Sequence, residues 1–391
     1  MTDPVDLSSC RVLLVDDSRS SLDVLIEALK GHHLISVAPD GESALRLIER
    51  APPDLVLLDL MMPGLDGYEV CRRLRAEART RDLPIIFLSS LGEAPTKARG
   101  FAAGGTDFIT KPFEAVEVRA RVRSLLKAKM YQDAVRKSLA AELHVAREIQ
   151  LGMVPKNFAR LSLGMPIDVH ALLEPAEEVG GDLYDVFPLG EGRVCLVLGD
   201  VAGKGIPAAL FMAITATLLR ATARHVKRPD QILSHVNQEL SRENPTGMSV
   251  TLFCAVLDTR SGRLACASAG HPSPVLLRQG EAPRFLPGKP SAALGVAADL
   301  ELESWDLQLD PEDTLLLYTG GVTDAAGPDG QCFGEARLLQ ALGGDVGSAK
   351  DLTLRALAAA RAFASGAKQS DDIALLALRW TPAPPAAHPV Q

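Results

Sequence analysis

Several features that mark other classes of protein are missing from this 391-residue sequence. Lys and Arg do not cluster, and the formal net charge is −8, which argues against a large nucleic-acid surface because phosphates require a basic one. The six cysteines are scattered without a CxxC pair, so the sequence favours reduced thiols over a zinc site or a disulfide framework. The stretch GDVAGKG does not have the spacing of a phosphate-binding P-loop.

Long apolar runs and an export signal are also missing. No run of about 20 apolar residues occurs, and the opening MTDPVDLSSC has neither a basic start nor an apolar segment. We therefore expect a cytoplasmic protein that neither spans a membrane nor is exported. The length suits two or three domains, and 47% hydrophobic with 23% charged residues is typical of folded globular chains.

Residues 114–155 form the stretch around which the chain is organised. They contain no Gly or Pro before Gly152, and apolar residues recur at steps of three and four, which predicts one long helix. Such a helix exceeds the needs of one domain, so it either pairs with another helix or acts as a lever. The alternative is a terminal helix that continues into a solvated linker. The apolar stripe is not a strict heptad, so the sequence does not establish a stable coiled coil.

The first segment has the rhythm of a doubly wound α/β fold with a parallel sheet. Short apolar runs alternate with helix-like stretches, the runs at 12–15, 55–58 and 85–88 and the helices at 21–30, 42–50 and 68–78. In such sheets the functional groups lie at the carboxyl ends of strands, where this chain carries Asp16, Asp17, Asp59, Ser89 and Lys111. Three converging carboxylates repel one another unless a hard divalent cation neutralises them, and an aspartate beside that ion can attack a phosphoryl group.

The sequences LLVDDS, LVLLDLMMPGLDG, PIIFLSS and DFITKPF resemble the receiver domain of two-component response regulators, which we place at residues 1–125. The resemblance implies a flavodoxin-like fold and a cis Lys111–Pro112 bond. It also implies these roles: Asp59 as phosphoacceptor, Asp16, Asp17, Asp59 and the Met61 carbonyl as Mg²⁺ ligands, Ser89 and Lys111 as partners of the phosphoryl group, and Ser89 with Phe108 as switch residues.

The second segment, residues 156–380, is predicted to be an antiparallel α+β sandwich because strand-like runs dominate and helices intervene. Aspartates stand in turn-rich stretches at Asp182, Asp200, Asp371 and Asp372. Glycine beside the first two lets backbone approach an ion, and aspartate oxygens suit hard cations. The pattern indicates a metal centre of one or two ions, and two ions can activate a water for phosphomonoester hydrolysis.

The sequences VGGDLYD, GDVAGKGIPAAL, ASAGHP, LLLYTGGVTDA and SDDIALLALR resemble metal-dependent serine/threonine protein phosphatases of the SpoIIE and RsbU type, and EIQLGMVP resembles the segment that precedes them. The resemblance implies a two-sheet sandwich that holds Mn²⁺ or Mg²⁺. The implied metal ligands are Asp182, Asp200, the Val201 carbonyl and Asp371, with Asp372 adjacent. We interpret His271 as structural, with a general acid as the alternative.

One position departs from that family. The family has LYTDGVTEA, whose first Asp binds metal, whereas this chain has LYTGGVTDA and therefore Gly320. Asp324 matches the family's later acid and is not an obvious substitute, although a neighbouring loop or water could complete the shell. We expect weaker affinity for one of two ions, and an activity that is weak, dependent on high Mn²⁺, or absent.

Two functional hypotheses follow. In the first, a histidine kinase or phosphotransfer protein phosphorylates Asp59, and the helix at 114–155 passes the change to a phosphatase acting on a phosphorylated protein. The resemblance suggests an anti-sigma factor antagonist as that substrate. Because a symmetric pair of helices is the commonest way to pass on such a change, we also expect a homodimer through the helix. In the second, the phosphatase fold is a catalytically weak or inactive adaptor that binds a regulatory protein in a phosphorylation-dependent way. The Pro/Ala-rich tail at 381–391 is predicted to be disordered.

Overall fold

The computed structural model describes residues 6–90, 94–158, 164–242, 244–288 and 291–382. The chain divides into two compact units, Met1–Ala141 and Glu142–Gln391. Of the predicted disordered tail, residues 383–391 lie outside the described residues.

The first unit alternates strands and helices from its start. Its elements are β1 (Arg11–Val15), α1 (Arg19–Leu29), β2 (Leu34–Ala38), α2 (Gly41–Arg50), β3 (Leu55–Asp59), α3 (Gly67–Ala76), β4 (Ile85–Ser89), α4 (Ala94–Ala102), β5 (Asp107–Thr110) and α5 (Ala115–Met153). The strands form a parallel sheet in the order β2-β1-β3-β4-β5. This topology confirms the predicted doubly wound, flavodoxin-like fold.

The inner strands of this sheet, β1, β3 and β4, are mostly apolar and buried because helices cover both faces of the sheet. In β1, Leu13 and Val15 pack into one core and Val12 and Leu14 into the other. The helix α5 contributes Val118, Val122 and Leu126 to the second core, at the four-residue spacing of one helix face. Beyond that point the same helix exposes Tyr131, Val135 and Leu139, and it continues into the second unit.

The second unit is built mainly of antiparallel strands. They are β6 (Ile167–Glu174), β7 (Leu183–Gly190), β8 (Arg193–Val201), β9 (Val250–Asp258), β10 (Arg263–Ala269), β11 (Val275–Leu277), β12 (Arg284–Phe285), β13 (Trp305–Gln308), β14 (Thr314–Tyr318) and β15 (Ile373–Trp380). The helices are α6 (Gly205–Ala223), α7 (Pro229–Arg242), α8 (Gly320–Thr323), α9 (Gly334–Leu342) and α10 (Ala349–Ala364).

These strands form two sheets, in the orders β13-β10-β9-β8-β7 and β12-β11-β14-β15-β6. Side chains from both sheets share one core, for example Leu196 on β8 and Leu376 on β15. The outer face of the first sheet packs against α6 and α7, and the outer face of the second packs against α9 and α10. The predicted two-sheet sandwich with flanking helices is therefore confirmed.

The helix α6 is the one helix in the described part of the chain that is long and apolar enough to cross a membrane by length and composition alone. In the fold it is a core helix on one side, since Met212, Thr215 and Leu219 are buried. Its opposite side exposes Leu210 and Ile214.

Candidate functional site

In the first unit, acidic side chains meet at the carboxyl edge of the parallel sheet. Asp59 ends β3, and Asp16 and Asp17 follow β1. Carboxylate oxygens of these three residues lie within 4.8 Å of one another. The ammonium of Lys111 lies 2.7 Å from a carboxylate oxygen of Asp16 and 3.0 Å from one of Asp59. The sheet thus brings together residues that are far apart in the sequence.

The electrostatics of this edge suit a cation. Burial raises the pKa of Asp59, and the Asp16 carboxylate raises it further, against the opposing hydrogen bond from Lys111. Burial alone lowers the pKa of Lys111, but its hydrogen bonds with Asp16 and Asp59 outweigh that effect, so the pKa is raised. One ammonium faces three carboxylates, of which Asp17 is exposed to solvent. The residues present therefore fit a hard divalent cation.

The other predicted residues of this unit surround that edge. Ser89 and Phe108 are buried, and the backbone N–H of Lys111 donates to the Ser89 carbonyl at 2.7 Å. The backbone of Met61 hydrogen-bonds the Asp59 carboxylate, while the Met61 side chain points to solvent. The Lys111–Pro112 bond is cis, as the resemblance implies. The roles of these residues in phosphorylation remain predictions.

In the second unit, four strand ends carry the candidate site. Asp182 precedes β7, Asp200 lies within β8, Thr319 follows β14, and Asp372 precedes β15. The pairing of Leu183 with Gly199 places Asp182 beside Asp200 at the same end of the first sheet. Asp200 therefore belongs to a strand, although the sequence suggested an acidic loop.

Hydrogen bonds join the two sheets at this point. The Thr319 hydroxyl donates to a carboxylate oxygen of Asp182 at 2.7 Å and accepts from the backbone N–H of Ala374 at 2.8 Å. A Cβ on Gly181 would lie 2.8 Å from the Val201 carbonyl oxygen, so glycine is needed for that close approach. The backbone at Gly181, immediately before Asp182, is thus held close to the Val201 carbonyl by the fold.

The carboxylates of this site lie close enough to perturb one another. Burial raises the pKa of Asp182 well above its usual value, and Asp200 adds to the rise. Burial followed by the charges of Asp371 and Asp372 raises the pKa of Asp200 to about 6. Within the described residues no Lys or Arg forms an ion pair with Asp182, Asp200 or Asp371. Carboxylates left without a cation in a buried site are the donor set expected for a divalent metal.

Comparison with known proteins agrees with this geometry. Residues 12–123 match the family described as "Response regulator receiver domain", and residues 190–381 match the family described as "Stage II sporulation protein E (SpoIIE)". The chain joins a response regulator receiver domain to a SpoIIE phosphatase domain.

Individual relatives cover parts of the chain. The Response regulator PleD of Caulobacter vibrioides is 39% identical over 134 residues, which are 34% of this chain and 30% of that protein. The Protein IcfG of Synechocystis is 29% identical over 264 residues, which are 61% of this chain and 41% of that protein. The chain thus spans less than half the length of either relative. The SiaA-PP2C domain of Pseudomonas aeruginosa is 25% identical with a TM-score of 0.55, and the match covers 63% of this chain and 98% of that domain.

Within the SpoIIE domain, the two adjacent aspartates before β15 have different surroundings. The Asp372 carboxylate accepts from the backbone N–H groups of Ala176 at 2.8 Å and Gly181 at 2.6 Å. The Asp371 carboxylate accepts only from the neighbouring N–H of Asp372, at 3.0 Å, among the described residues. Asp371 therefore has free oxygens for a cation, whereas Asp372 holds the loop that carries Asp182.

Gly320 and Gly321 also differ. A Cβ on Gly321 would lie 1.9 Å from the Asp372 carbonyl oxygen, so this glycine is required by the fold. Gly320 begins α8 and has room for a side chain. In the described part of the chain, the three carboxylates within 4.8 Å of one another are those of the receiver domain, and the SpoIIE domain has no such set. The absence of such a set from the described residues of the SpoIIE domain agrees with the loss of a carboxylate at position 320.

His271 is a buried group beside this site. Its Nδ1 lies 3.0 Å from the Thr251 hydroxyl, and Thr251 pairs with Asp200 across the strands. Burial lowers the pKa of His271 to about 3, so the ring is neutral at ordinary pH. A neutral, hydrogen-bonded histidine in the core supports the structural interpretation.

Sequence reasoning missed Gln150 on α5. The Gln150 side chain is buried, donates from Nε2 to the Gly180 carbonyl at 2.5 Å and accepts at Oε1 from the Gly180 N–H at 3.1 Å. Arg147, one turn earlier, donates to the carbonyls of Glu177 and Glu178 at 3.2 Å each. The only signal in the sequence for Gln150 was the resemblance of EIQLGMVP to a family segment. Its hydrogen-bond partner Gly180 lies 30 residues away, so no local pattern indicates the contact.

Proposed function

We propose that this protein is a response regulator in which phosphorylation of Asp59 controls a metal-dependent phosphoserine and phosphothreonine protein phosphatase. The observation that carries the proposal is the set of uncompensated carboxylates at Asp182, Asp200 and Asp371. The last two lie within residues 190–381, the part of the chain that matches the SpoIIE family. Bound Mn²⁺ or Mg²⁺, one or two ions, supplies charge neutralisation and an activated water. Mg²⁺ is the ion proposed for the receiver site.

In the receiver domain, Asp59 is the proposed nucleophile. A carboxylate oxygen of Asp59 forms the bond to phosphorus, and the bond from phosphorus to the donor's histidine nitrogen breaks. The phosphoryl group then carries negative charge that the ammonium of Lys111 partly balances, since it already lies 3.0 Å from Asp59. Ser89, at the end of the neighbouring strand β4, is the proposed hydroxyl partner, and Phe108 the switch that follows it.

In the SpoIIE domain, protein groups hold the ligands in place. Thr319 holds one Asp182 oxygen by a 2.7 Å hydrogen bond, and Asp372 holds the backbone beside it. Asp200, Asp371 and the Val201 carbonyl complete the proposed donor set. Side chains fixed in this way keep their oxygens directed at a bound ion.

The end of α5 offers a route for regulation. Gln150 makes two hydrogen bonds to Gly180, and Gly180 lies two residues before Asp182. We infer that a rotation or shift of the last turns of α5 moves the Asp182 loop and so changes metal binding. The exposed apolar side chains of Val135, Leu139 and Ile149 on this helix support the proposal of a homodimer through α5.

The partners follow from the two domains. A histidine kinase or phosphotransfer protein is the proposed donor to Asp59, and a phosphorylated protein such as an anti-sigma factor antagonist is the proposed substrate. We propose a soluble, cytoplasmic protein that binds neither membrane nor nucleic acid, the latter because its net charge is −8.

An adaptor without turnover is the second candidate, and Gly320 favours it. A phosphatase fold that lacks one metal-binding carboxylate can still bind a partner through the same surface. Under this hypothesis Asp59 phosphorylation controls binding rather than hydrolysis.

Hydrolysis of p-nitrophenyl phosphate in Mn²⁺ separates the two candidates. We expect the full chain to hydrolyse this substrate and Asp200→Ala to abolish the turnover. Beryllofluoride, which mimics phosphorylation of Asp59, should change the rate of turnover. Turnover that arises only after Gly320→Asp would decide for the adaptor. Turnover by Asp200→Ala equal to that of the unmodified chain would refute the proposed metal centre. Phosphorylated candidate proteins, tested in the same assay, then address the substrate.

A further inference from the structure

A cavity of about 320 Å³ opens beside the two adjacent aspartates of the SpoIIE domain. Ser370 and Ile373, which flank Asp371 and Asp372 in the sequence, line one side of it. Gly321 lines it too, and a Cβ at that position would lie 1.9 Å from the Asp372 carbonyl oxygen. The cavity therefore shares a wall with the segment that carries the proposed metal ligand Asp371.

Small side chains leave this space unfilled. The last turns of α10 contribute Ala360 and Ala364, and the segment after α8 contributes Ala325 and Ala326. The volume is at the lower end of the range for ligand pockets, about 300–1,000 Å³. The cavity therefore has the size and the apolar walls to receive one anchoring side chain of a partner.

Positive charge surrounds this apolar cavity. Arg361 and Lys368 line it, and Arg361 is already paired with Glu174 at 2.6 Å. The Lys368 ammonium is exposed and has no hydrogen-bond or ion-pair partner in the described part of the chain. Lys204 donates to the Ser370 carbonyl and, among the same residues, has no carboxylate partner. Two ammonium groups that no carboxylate neutralises thus lie at this segment.

The wall that carries these charges is held in place before any partner binds. The Gln369 side chain donates to the Glu174 carbonyl at 2.8 Å and to the Asp371 carbonyl at 2.7 Å. It therefore ties the segment between α10 and β15 to the end of β6. A preformed wall lowers the entropic cost of binding a partner.

We propose that this cavity is the docking site for the protein substrate. The substrate carries, within two or three residues of its phosphorylated Ser or Thr, a large apolar side chain that fills the cavity and an acidic residue that pairs with Lys368. This inference rests on the proposed phosphatase function, for which it specifies the class of substrate. Burial of the apolar side chain gives affinity, and the pairing with Lys368 favours an acidic sequence over a basic one.

Phosphate release from short synthetic peptides by the full chain in Mn²⁺ tests this proposal. The probe Glu-Leu-Ala-pSer-Ala-Leu-Glu offers the apolar and acidic side chains in both chain directions. Two matched peptides replace both Leu by Ala or both Glu by Lys, and each kcat/KM is divided by that for p-nitrophenyl phosphate. We expect this ratio to fall by about tenfold or more without Leu, and by about threefold with Lys in place of Glu.

Variants of the chain then locate the effect. Lys368→Glu should lower the ratio for the probe by about threefold or more and make the Lys peptide the better substrate of the two. The matched control Lys350→Glu reverses an exposed charge in the first turn of α10, at its opposite end, and should leave the ratio unchanged. Ala364→Leu fills the cavity and should remove the preference for Leu over Ala in the peptide. Tryptophan fluorescence during urea unfolding checks that each variant is folded.

The outcomes separate this inference from the function on which it rests. If p-nitrophenyl phosphate is hydrolysed and the three peptides react equally well or not at all, the docking site is refuted while the phosphatase function stands. A loss in Lys368→Glu that is equal for all peptides would also refute it, since a purely structural role does not exchange their order. If nothing is hydrolysed, the phosphatase function fails. Fluorescence anisotropy of the labelled probe in Mn²⁺ then tests docking alone, and equal affinities of the unmodified chain and Lys368→Glu would refute the docking site as well.

Discussion

Asp372 offers the most quantitative test of how this site is held together. Its carboxylate accepts two short hydrogen bonds from backbone N–H groups, at 2.8 Å from Ala176 and 2.6 Å from Gly181. Hydrogen bonds to a charged group contribute about 1.5–3 kcal/mol each, so Asp372→Ala removes about 3–6 kcal/mol. The substitution also relieves repulsion with Asp182 and Asp200, which returns on the order of 1 kcal/mol. We therefore expect the free energy of unfolding to fall by about 2–5 kcal/mol.

Asp371→Ala is the matched control, because it removes the same charge from the neighbouring position. The Asp371 carboxylate accepts only from the adjacent Asp372 N–H, so little stability should be lost without metal. Asp372→Asn keeps one acceptor oxygen, so its free energy of unfolding should lie between those of Asp372→Ala and Asp371→Ala. For Mn²⁺ affinity the order is reversed, since Asp371 is the proposed ligand, so Asp371→Ala should weaken binding more than Asp372→Asn.

Tryptophan fluorescence during urea unfolding in EDTA is the assay. The chain has two tryptophans, Trp305 and Trp380, and both lie in the second unit, so the signal reports on the SpoIIE domain alone. A midpoint for Asp372→Ala equal to that of Asp371→Ala would refute the reasoning. The backbone hydrogen bonds would then not stabilise the loop that carries Asp182.

Three further predictions follow from buried groups. Gly321→Ala should prevent folding of the SpoIIE domain, whereas Gly320→Ala should unfold at nearly the same urea concentration as the unmodified chain. Of these two positions, only 320 has room for a Cβ. The pKa of His271 is lowered by burial from 6.5 to about 3, so the folded state binds fewer protons than the unfolded state. The contribution of His271 to stability is then complete above pH 6.5 and falls by about 1.4 kcal/mol per pH unit below it, a contribution that His271→Asn should remove. Lys111→Met leaves two buried carboxylates unpaired, so it should destabilise the receiver domain by about 3–5 kcal/mol in EDTA. Added Mg²⁺ should restore the stability, which circular dichroism during unfolding measures. Unchanged stability in Mg²⁺ would contradict the proposed site.

The folds of both domains could be predicted because their central strands are buried on both faces. In β8, Leu196 and Leu198 face the core between the sheets, while Cys195 and Val197 face the helices. A strand covered on both sides is apolar at every position, and such runs stand out in a sequence. The receiver acids could be predicted for a related reason, since parallel strands place their carboxyl ends at one edge.

The roles of Asp371 and Asp372 could not be separated by sequence. Successive side chains in extended backbone point in opposite directions, so neighbouring aspartates meet different surroundings. Which of the two faces the backbone N–H groups depends on the loop at residues 176–181, which comes from the other end of the domain. Gln150 was missed for the same reason, because its partner Gly180 is not a neighbour in sequence.

The departure at Gly320 shows how position-by-position comparison and spatial structure lead to different conclusions. Compared residue by residue, the chain has lost a metal ligand and looks like an adaptor. In the fold, Asp182, Asp200 and Asp371 have no Lys or Arg ion-pair partner among the described residues, so the site keeps carboxylates that a cation would neutralise. Mg²⁺ in proteins usually keeps several waters and is bound through only one or two carboxylates. The absence of one ligand at position 320 therefore does not identify an inactive phosphatase, and turnover of p-nitrophenyl phosphate in Mn²⁺, with Asp200→Ala as the control, decides between enzyme and adaptor.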